Sequence, residues 1–204
     1  VTGDPYDFPI TGVLEPQRTA LLIIDMQRDF CDPAGYMHSR GDDVAAARAI
    51  VPRILGVLEI ARRTGMLVIY TREGHRANLA DLPASKRLKT ARAGAQIGAT
   101  GPLGRLLIRG EAGWDFIEEI QPLEGEVVVD KIGTGAFHAT DLHDVLRNRR
   151  IENVVLTGVT TGVCVSSTAR EATDRGYSVL VLEDCCAEPN PRYHDIAIEL
   201  LKIE

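Results

Sequence analysis

A chain of 204 residues suits one domain with a full-sized core, and 45% hydrophobic with 25% charged residues is an ordinary globular composition. Acidic residues outnumber basic ones by 29 to 23, and the net charge of -6 argues against nucleic-acid or anionic-membrane partners. No apolar run reaches the roughly 18 residues of a membrane-spanning helix, and no signal peptide is read at the start. Cys31, Cys164, Cys185 and Cys186 lack C-x-x-C spacing, which disfavours a zinc site or disulfide framework and makes a reducing cytoplasm the expected location. Val1 is not a methionine and Glu204 falls within a helix-like pattern, so residues are expected beyond both ends, and the C-terminus reads as truncated.

Residues 1–18 are proline-spaced and aperiodic, and read as an extended N-terminal arm; residues 19–204 read as one domain. Thr19 to Ile24 is a continuous apolar run ending in Asp25, the pattern of a strand buried on both faces. Val44, Ala47, Ile50, Ile54, Val57, Leu58 and Ala61 recur at helical spacing, and Gly65 stops the helix. Met66 to Tyr70 predicts a second buried strand, followed by a polar turn from Thr71 to Arg76. Residues 77–113 show little periodicity, and a lid or subunit contact is expected there. Trp114 to Ile120 predicts at most a short helix, and Glu126 to Val129 a third strand running into Asp130 and Lys131. A helix from Asp141 to Arg149 is capped by Thr140, and Asn153 to Thr157 is a fourth strand followed by a helix from Val165 to Arg175. Ser178 to Leu182 is the fifth strand, and a last helix starts at Pro191. Strands alternating with helices predict an α/β fold, a doubly wound, mostly parallel sheet with helices on both faces.

In such a sheet the site lies outside the carboxyl ends of the strands. Asp25, Lys131 and Cys164 each sit at or just past a strand end, so one sheet edge would gather a carboxylate, an ammonium and a thiol. Cys164 falls where a helix starts, and unpaired N–H groups with the positive end of the dipole would favour a thiolate there. The carboxylate can take the thiol proton and return it to a leaving amine, while the ammonium steadies both anions. Each residue also has an ordinary reading: a small buried cysteine, a turn-capping aspartate, a solvated lysine at a loop mouth. Phe30 is expected to wall the pocket, and His75, Arg76 and His138 are further candidates for substrate contact at the same edge.

The run Leu22-Ile23-Ile24-Asp25-Met26-Gln27 with Phe30, then Lys131, then Gly158-Val159-Thr160-Thr161-x-Val163-Cys164-Val165 resembles the isochorismatase-like cysteine hydrolases. The resemblance implies Cys164 as nucleophile, Asp25 as base and acid, and Lys131 as their electrostatic partner. It also implies a cis peptide at Val159–Thr160 and an oxyanion hole from the N–H groups of Thr160 and Cys164. No cofactor is expected, and no catalytic metal, because the Asp-x-His pattern of the nicotinamidases is missing near the second strand. A homodimer or homotetramer is expected from the resemblance and from segment 77–113.

Within that family the chain is most similar to the biuret hydrolases, through Asp4-Pro5-Tyr6, Thr71 to Arg76, Asp81 to Ala84, Arg109 to Glu111, Ala139 to Leu142 and Leu182 to Cys186. It departs from them at Thr134-Gly135-Ala136-Phe137-His138, at Gly162, and at Glu204, which aligns with a substrate-contacting glutamine. A carboxylate in place of an amide favours a cation over a neutral diamide. The expected activity is hydrolysis of a C–N bond in a small linear ureide, guanylurea first, then biuret, then triuret. Two rival readings stand beside it: a non-catalytic binding protein on the same scaffold, and a vinyl-ether hydrolase, for which the thiol at 164 is unnecessary.

Overall fold

The computed structural model describes residues 1–203, so Glu204 and the substrate contact expected of it lie outside the described residues. Five strands form the main sheet: β1 Thr19–Ile24, β2 Leu67–Glu73, β3 Val127–Lys131, β4 Asn153–Val159 and β5 Ser178–Ala187. They are parallel throughout, in the order β3-β2-β1-β4-β5. The chain therefore winds outward from β1 to β3, then crosses back to lay β4 on the other side of β1. The gap between the ends of β1 and β4 is the point where the winding reverses, which is where sheets of this kind place their sites.

Alternation along β1 divides the core. Leu21 and Ile23 face one layer with Tyr70, Ile54 and Leu58, while Ala20, Leu22 and Ile24 face the other with Leu156, Leu142 and Ala169. The first layer is closed by α1 Val51–Thr64, and the second by α3 Leu142–Asn148 and α4 Ser166–Thr173. A further helix, α2 Ala84–Arg92, lies in the segment after β2, and α5 Pro191–Leu201 follows β5. Each fully buried Leu or Ile contributes roughly 1.5–3 kcal/mol, so β1, buried at every residue, is a main source of stability.

Several boundaries differ from the sequence reading for local reasons. The helix expected from Val44 breaks at Ile50, because Pro52 belongs to a first turn and starts α1 anew after the short turn Ala45–Ala49. Segment 77–113 is less irregular than expected. It holds α2, a short hairpin pairing Thr100–Gly101 with Gly104–Arg105, and buried Ala95, Ile97, Leu106, Leu107 and Ile108 in the core. The periodicity of α2 was invisible because Thr90 is its sole buried residue. No helix forms at Trp114 to Ile120; Phe116 instead bridges to Gln27, with Ile117 and Ile120 buried. β2 runs on through Thr71, Arg72 and Glu73, which the sequence placed in a turn, and β5 runs on to Ala187 through a register shift. Among the described residues no helix is long and apolar enough to cross a membrane.

Gly158 marks where β4 touches β1. Its φ is 111°, a region L-residues rarely adopt, and a Cβ there would collide with the backbone carbonyl of Ile24. Gly158→Ala is expected to cost at least about 2 kcal/mol of stability, read from urea unfolding at constant m-value.

Candidate active site

Asp25 leaves β1 with a left-handed φ of 51°. Its N–H donates to the carbonyl and hydroxyl of Thr71, and the Thr71 hydroxyl donates to Asp25 Oδ1 at 2.6 Å. The neighbouring strand thus fixes the carboxylate on two sides. Lys131, the last residue of β3, is fully buried, and its Nζ lies 2.8 Å from Asp25 Oδ2. The same ammonium donates to the carbonyls of Gly133 and Thr134 at 2.9 and 3.0 Å. A buried lysine survives only with such partners.

Parallel register sets Glu73 of β2 beside Lys131, and the two approach to 3.4 Å. Glu73 is the residue that the sequence reading missed. Its Oε2 accepts from the Cys164 thiol at 3.6 Å, and its Oε1 lies 2.7 Å from the ammonium of Lys86 on α2. Gln27 secures the backbone of Glu73: its amide carbonyl accepts from Glu73 N–H at 2.7 Å, and its NH₂ donates to the carbonyls of Glu73 and Trp114. The strand runs three residues beyond Tyr70, and it is the register with the neighbouring strand that pairs Glu73 with Lys131.

Cys164 lies on a wide π-type turn, Thr161–Val165, between β4 and α4. The Thr160 carbonyl accepts from Val163 and Val165, both at 3.2 Å, and skips the N–H of Cys164 between them. The preceding Val159–Thr160 peptide is cis, as the resemblance implied. One ligand atom each of Asp25, Glu73 and Cys164 falls within 4.8 Å of the others. A small cation could suit such a trio, but the Lys131 ammonium already lies against both carboxylates.

Charge separates the two carboxyls. Burial pushes Asp25 above its ordinary value of 3.8, Lys131 pulling it back only in part and Glu73 adding to the rise. Glu73 is buried too, yet Lys131 and Lys86 together hold it below 4.5. Lys131 is pulled down by burial but raised on balance by Asp25, Cys164 and Glu73. The two carboxyls are thus pushed in opposite directions, Asp25 upward and Glu73 downward. The thiolate expected at Cys164 is corrected: burial, with Asp25 and Glu73 close by, pushes the thiol well above 9.0 despite Lys131. Burial also lifts Cys31 and Cys185, to about 12.

The remaining expected contacts divide. Phe30 lines a narrow slot with Met37, Val44, Ala47, Val159 and Thr160, and the carboxylates Asp43 and Glu188 belong to the same lining. Glu188 Oε2 accepts from the N–H of Gly162, which ties it to the cysteine turn. His75 does not face solvent. It is fully buried, its Nδ1 3.4 Å from Asp81, and burial with nearby Lys86 keeps it below 6.5 and neutral. Arg76 is exposed, and its backbone N–H, not its guanidinium, meets the Asp81 carboxylate. His138 is exposed and packs over Gly133, behind the loop that Lys131 binds. Neither Arg76 nor His138 lies in the slot lining.

Known proteins share this fold. The isochorismatase domain model matches residues 19–203. The ureidoacrylate amidohydrolase RutB of Caulobacter segnis is 34% identical over 188 residues, covering 88% of this chain and 77% of that protein. Among solved structures, an isochorismatase family protein from Desulfovibrio vulgaris superposes with a TM-score of 0.78 at 30% identity, covering 91% of this chain and 90% of the other. N-carbamoylsarcosine amidase from Thermoplasma acidophilum gives a TM-score of 0.69 at 27% identity, covering 90% and 92%. With the family's domain spanning nearly the whole chain and a buried thiol, carboxylate and ammonium at the strand ends, this protein belongs to the isochorismatase family of cysteine hydrolases.

Proposed function

We propose that the protein is an amidohydrolase cleaving a C–N bond of a small linear ureide that is neutral or cationic, with guanylurea preferred over biuret and biuret over triuret. The observation that carries the substrate class is the slot beside Thr160: its lining includes two carboxylates, Asp43 and Glu188, and no cationic side chain. A ureidoacrylate would bring its own carboxylate against these anions, whereas an amidinium would meet them with charge-assisted hydrogen bonds. Gly162, where the biuret hydrolases carry an aspartate, leaves Glu188 room beside the cysteine turn.

The chemistry follows from the proton inventory. Cys164 Sγ attacks the urea-type carbonyl as its proton passes to Asp25, and the N–H groups of Thr160 and Cys164 hold the oxyanion. Asp25 returns the proton to the departing nitrogen, so ammonia leaves and a carbamoyl thioester remains. Water, deprotonated by Asp25, then cleaves the thioester and restores the thiol. From guanylurea the product is an N-carboxyguanidine, which loses carbon dioxide to give guanidine. A non-catalytic scaffold would have no use for a thiol buried between two carboxylates and an ammonium, an arrangement costly in desolvation.

Ammonia release from guanylurea, biuret, triuret and ureidoacrylate, each with the purified protein, is the test. The expected order of kcat/KM is the order just given, with ureidoacrylate last. Glu188→Gln should lower kcat/KM for guanylurea about tenfold and for biuret by less than about threefold. Ureidoacrylate as the best substrate would overturn the substrate class, and no turnover of any ureide would overturn the assignment.

A further inference from the structure

Segment 77–113 was expected to be a lid or contact surface, yet one of its side chains reaches the reacting cluster. Lys86, on the polar helix α2, sends its ammonium inward to Glu73 Oε1 and to the carbonyl of Ile132, both at 2.7 Å. The other oxygen of that carboxylate is the one that the Cys164 thiol contacts. Ile132 begins the loop whose next two carbonyls bind Lys131. Lys86 therefore touches the anion beside the sulfur and the loop that holds the other cation, while touching neither Asp25 nor Cys164.

We infer that Lys86 is a positioning residue: from helix α2 it holds Glu73 ionised and aimed at Cys164, and so sets how readily the thiol gives up its proton. The inference rests on Cys164 being the nucleophile. The charge count explains why the residue matters. Asp25 after β1 and Glu73 on β2 supply two negative charges, and Lys131 on β3 balances one of them. The groups behind Glu73 are His75, which is buried and held neutral, and Asp81, which is engaged with His75 and the N–H of Arg76. Lys86 is thus the second cation of the cluster, half-buried where a surface lysine would ordinarily be solvated. Without it the thiol would sit beside an uncompensated anion, and forming a thiolate there would be harder.

The reactivity of Cys164 itself reads this out without any substrate. Iodoacetamide alkylation at pH 8, resolved to the Cys164 peptide by mass spectrometry, is compared for the wild type, Lys86→Met and Lys86→Arg, with thermal unfolding as the fold check. Lys86→Met should slow alkylation about tenfold, one pKa unit of thiol, while Lys86→Arg stays within about threefold of wild type. A methionine variant alkylated within threefold of wild type would show that Lys86 only pins α2 to the sheet. Equal slowing by methionine and arginine would assign the effect to shape and overturn the charge argument. A wild-type Cys164 that resists alkylation in the folded protein would overturn both this inference and the nucleophile assignment. Loss of ureide hydrolysis with alkylation as expected would fault the substrate reading alone.

Discussion

Replacing Cys164 by serine is expected to lower ureide hydrolysis by at least about 10³-fold and to leave the fold intact. The sulfur is buried, with the Glu73 carboxylate accepting from it and Asp25 close by, so an oxygen of similar size fits the same space. What fails is proton transfer. Asp25 is lifted above 3.8 by burial and Glu73, which brings its affinity for a proton nearer to that of a thiol. A serine hydroxyl is far less acidic than a thiol, and the same carboxylate cannot draw its proton at a useful rate. The pH dependence of the wild type follows with a definite sign. In the proposed mechanism Asp25 is ionised when it accepts the proton, so kcat/KM is expected to fall as pH drops through its raised value. The acid limb therefore lies above the ordinary aspartate range. Ammonia release against pH, with circular dichroism of the variant, checks both statements; an acid limb at or below 3.8 would exclude Asp25 as the base.

Lys131→Met carries the largest expected cost to stability. The ammonium is fully buried, pairs with Asp25 at 2.8 Å and Glu73 at 3.4 Å, and donates to two loop carbonyls. Removing it strands the buried Asp25 and leaves Glu73 to Lys86 alone, and breaking a buried ion pair of this kind costs about 3–5 kcal/mol. For a chain of this length that is a fall in thermal midpoint of roughly 6–20 °C. The variant should recover part of the loss at mildly acid pH. Asp25, deprived of the cation that pulls it back down, would rise further above 3.8, and protonating it relieves the burial penalty. Thermal melts at pH 5 and 8 measure this; a variant less stable at pH 5 than at pH 8, relative to wild type, would contradict the ion-pair account.

Much of the site was legible in the order of the residues. Asp25, Lys131 and Cys164 stand out because each interrupts or follows an apolar run at a strand end, and parallel topology sends such ends to one edge. Glu73 was not legible in the same way. Arg72 and Glu73 are charged, and charge after Tyr70 reads as a turn unless the neighbouring strand already supplies a cation to meet it. Register alone decides that, and register is a property of the pair. Lys86 was hidden more deeply, because α2 buries almost nothing and so has no apolar stripe to announce it. The acidity of Cys164 failed for another reason. A helix start is a local feature, whereas burial and two carboxylates from distant strands are assembled only by the fold, and they outweigh it.

The balance of two ammoniums against two carboxylates has one more consequence. When a proton passes from sulfur to Asp25, the total charge inside the site stays the same and only its location shifts by a few ångströms. Mobile ions in bulk water respond to totals, so the bond-making step is shielded from ionic strength. On the proposed reading, salt should be felt instead at the carboxylates Asp43 and Glu188 of the slot, where a cationic substrate would be selected, and not at the internally balanced cluster.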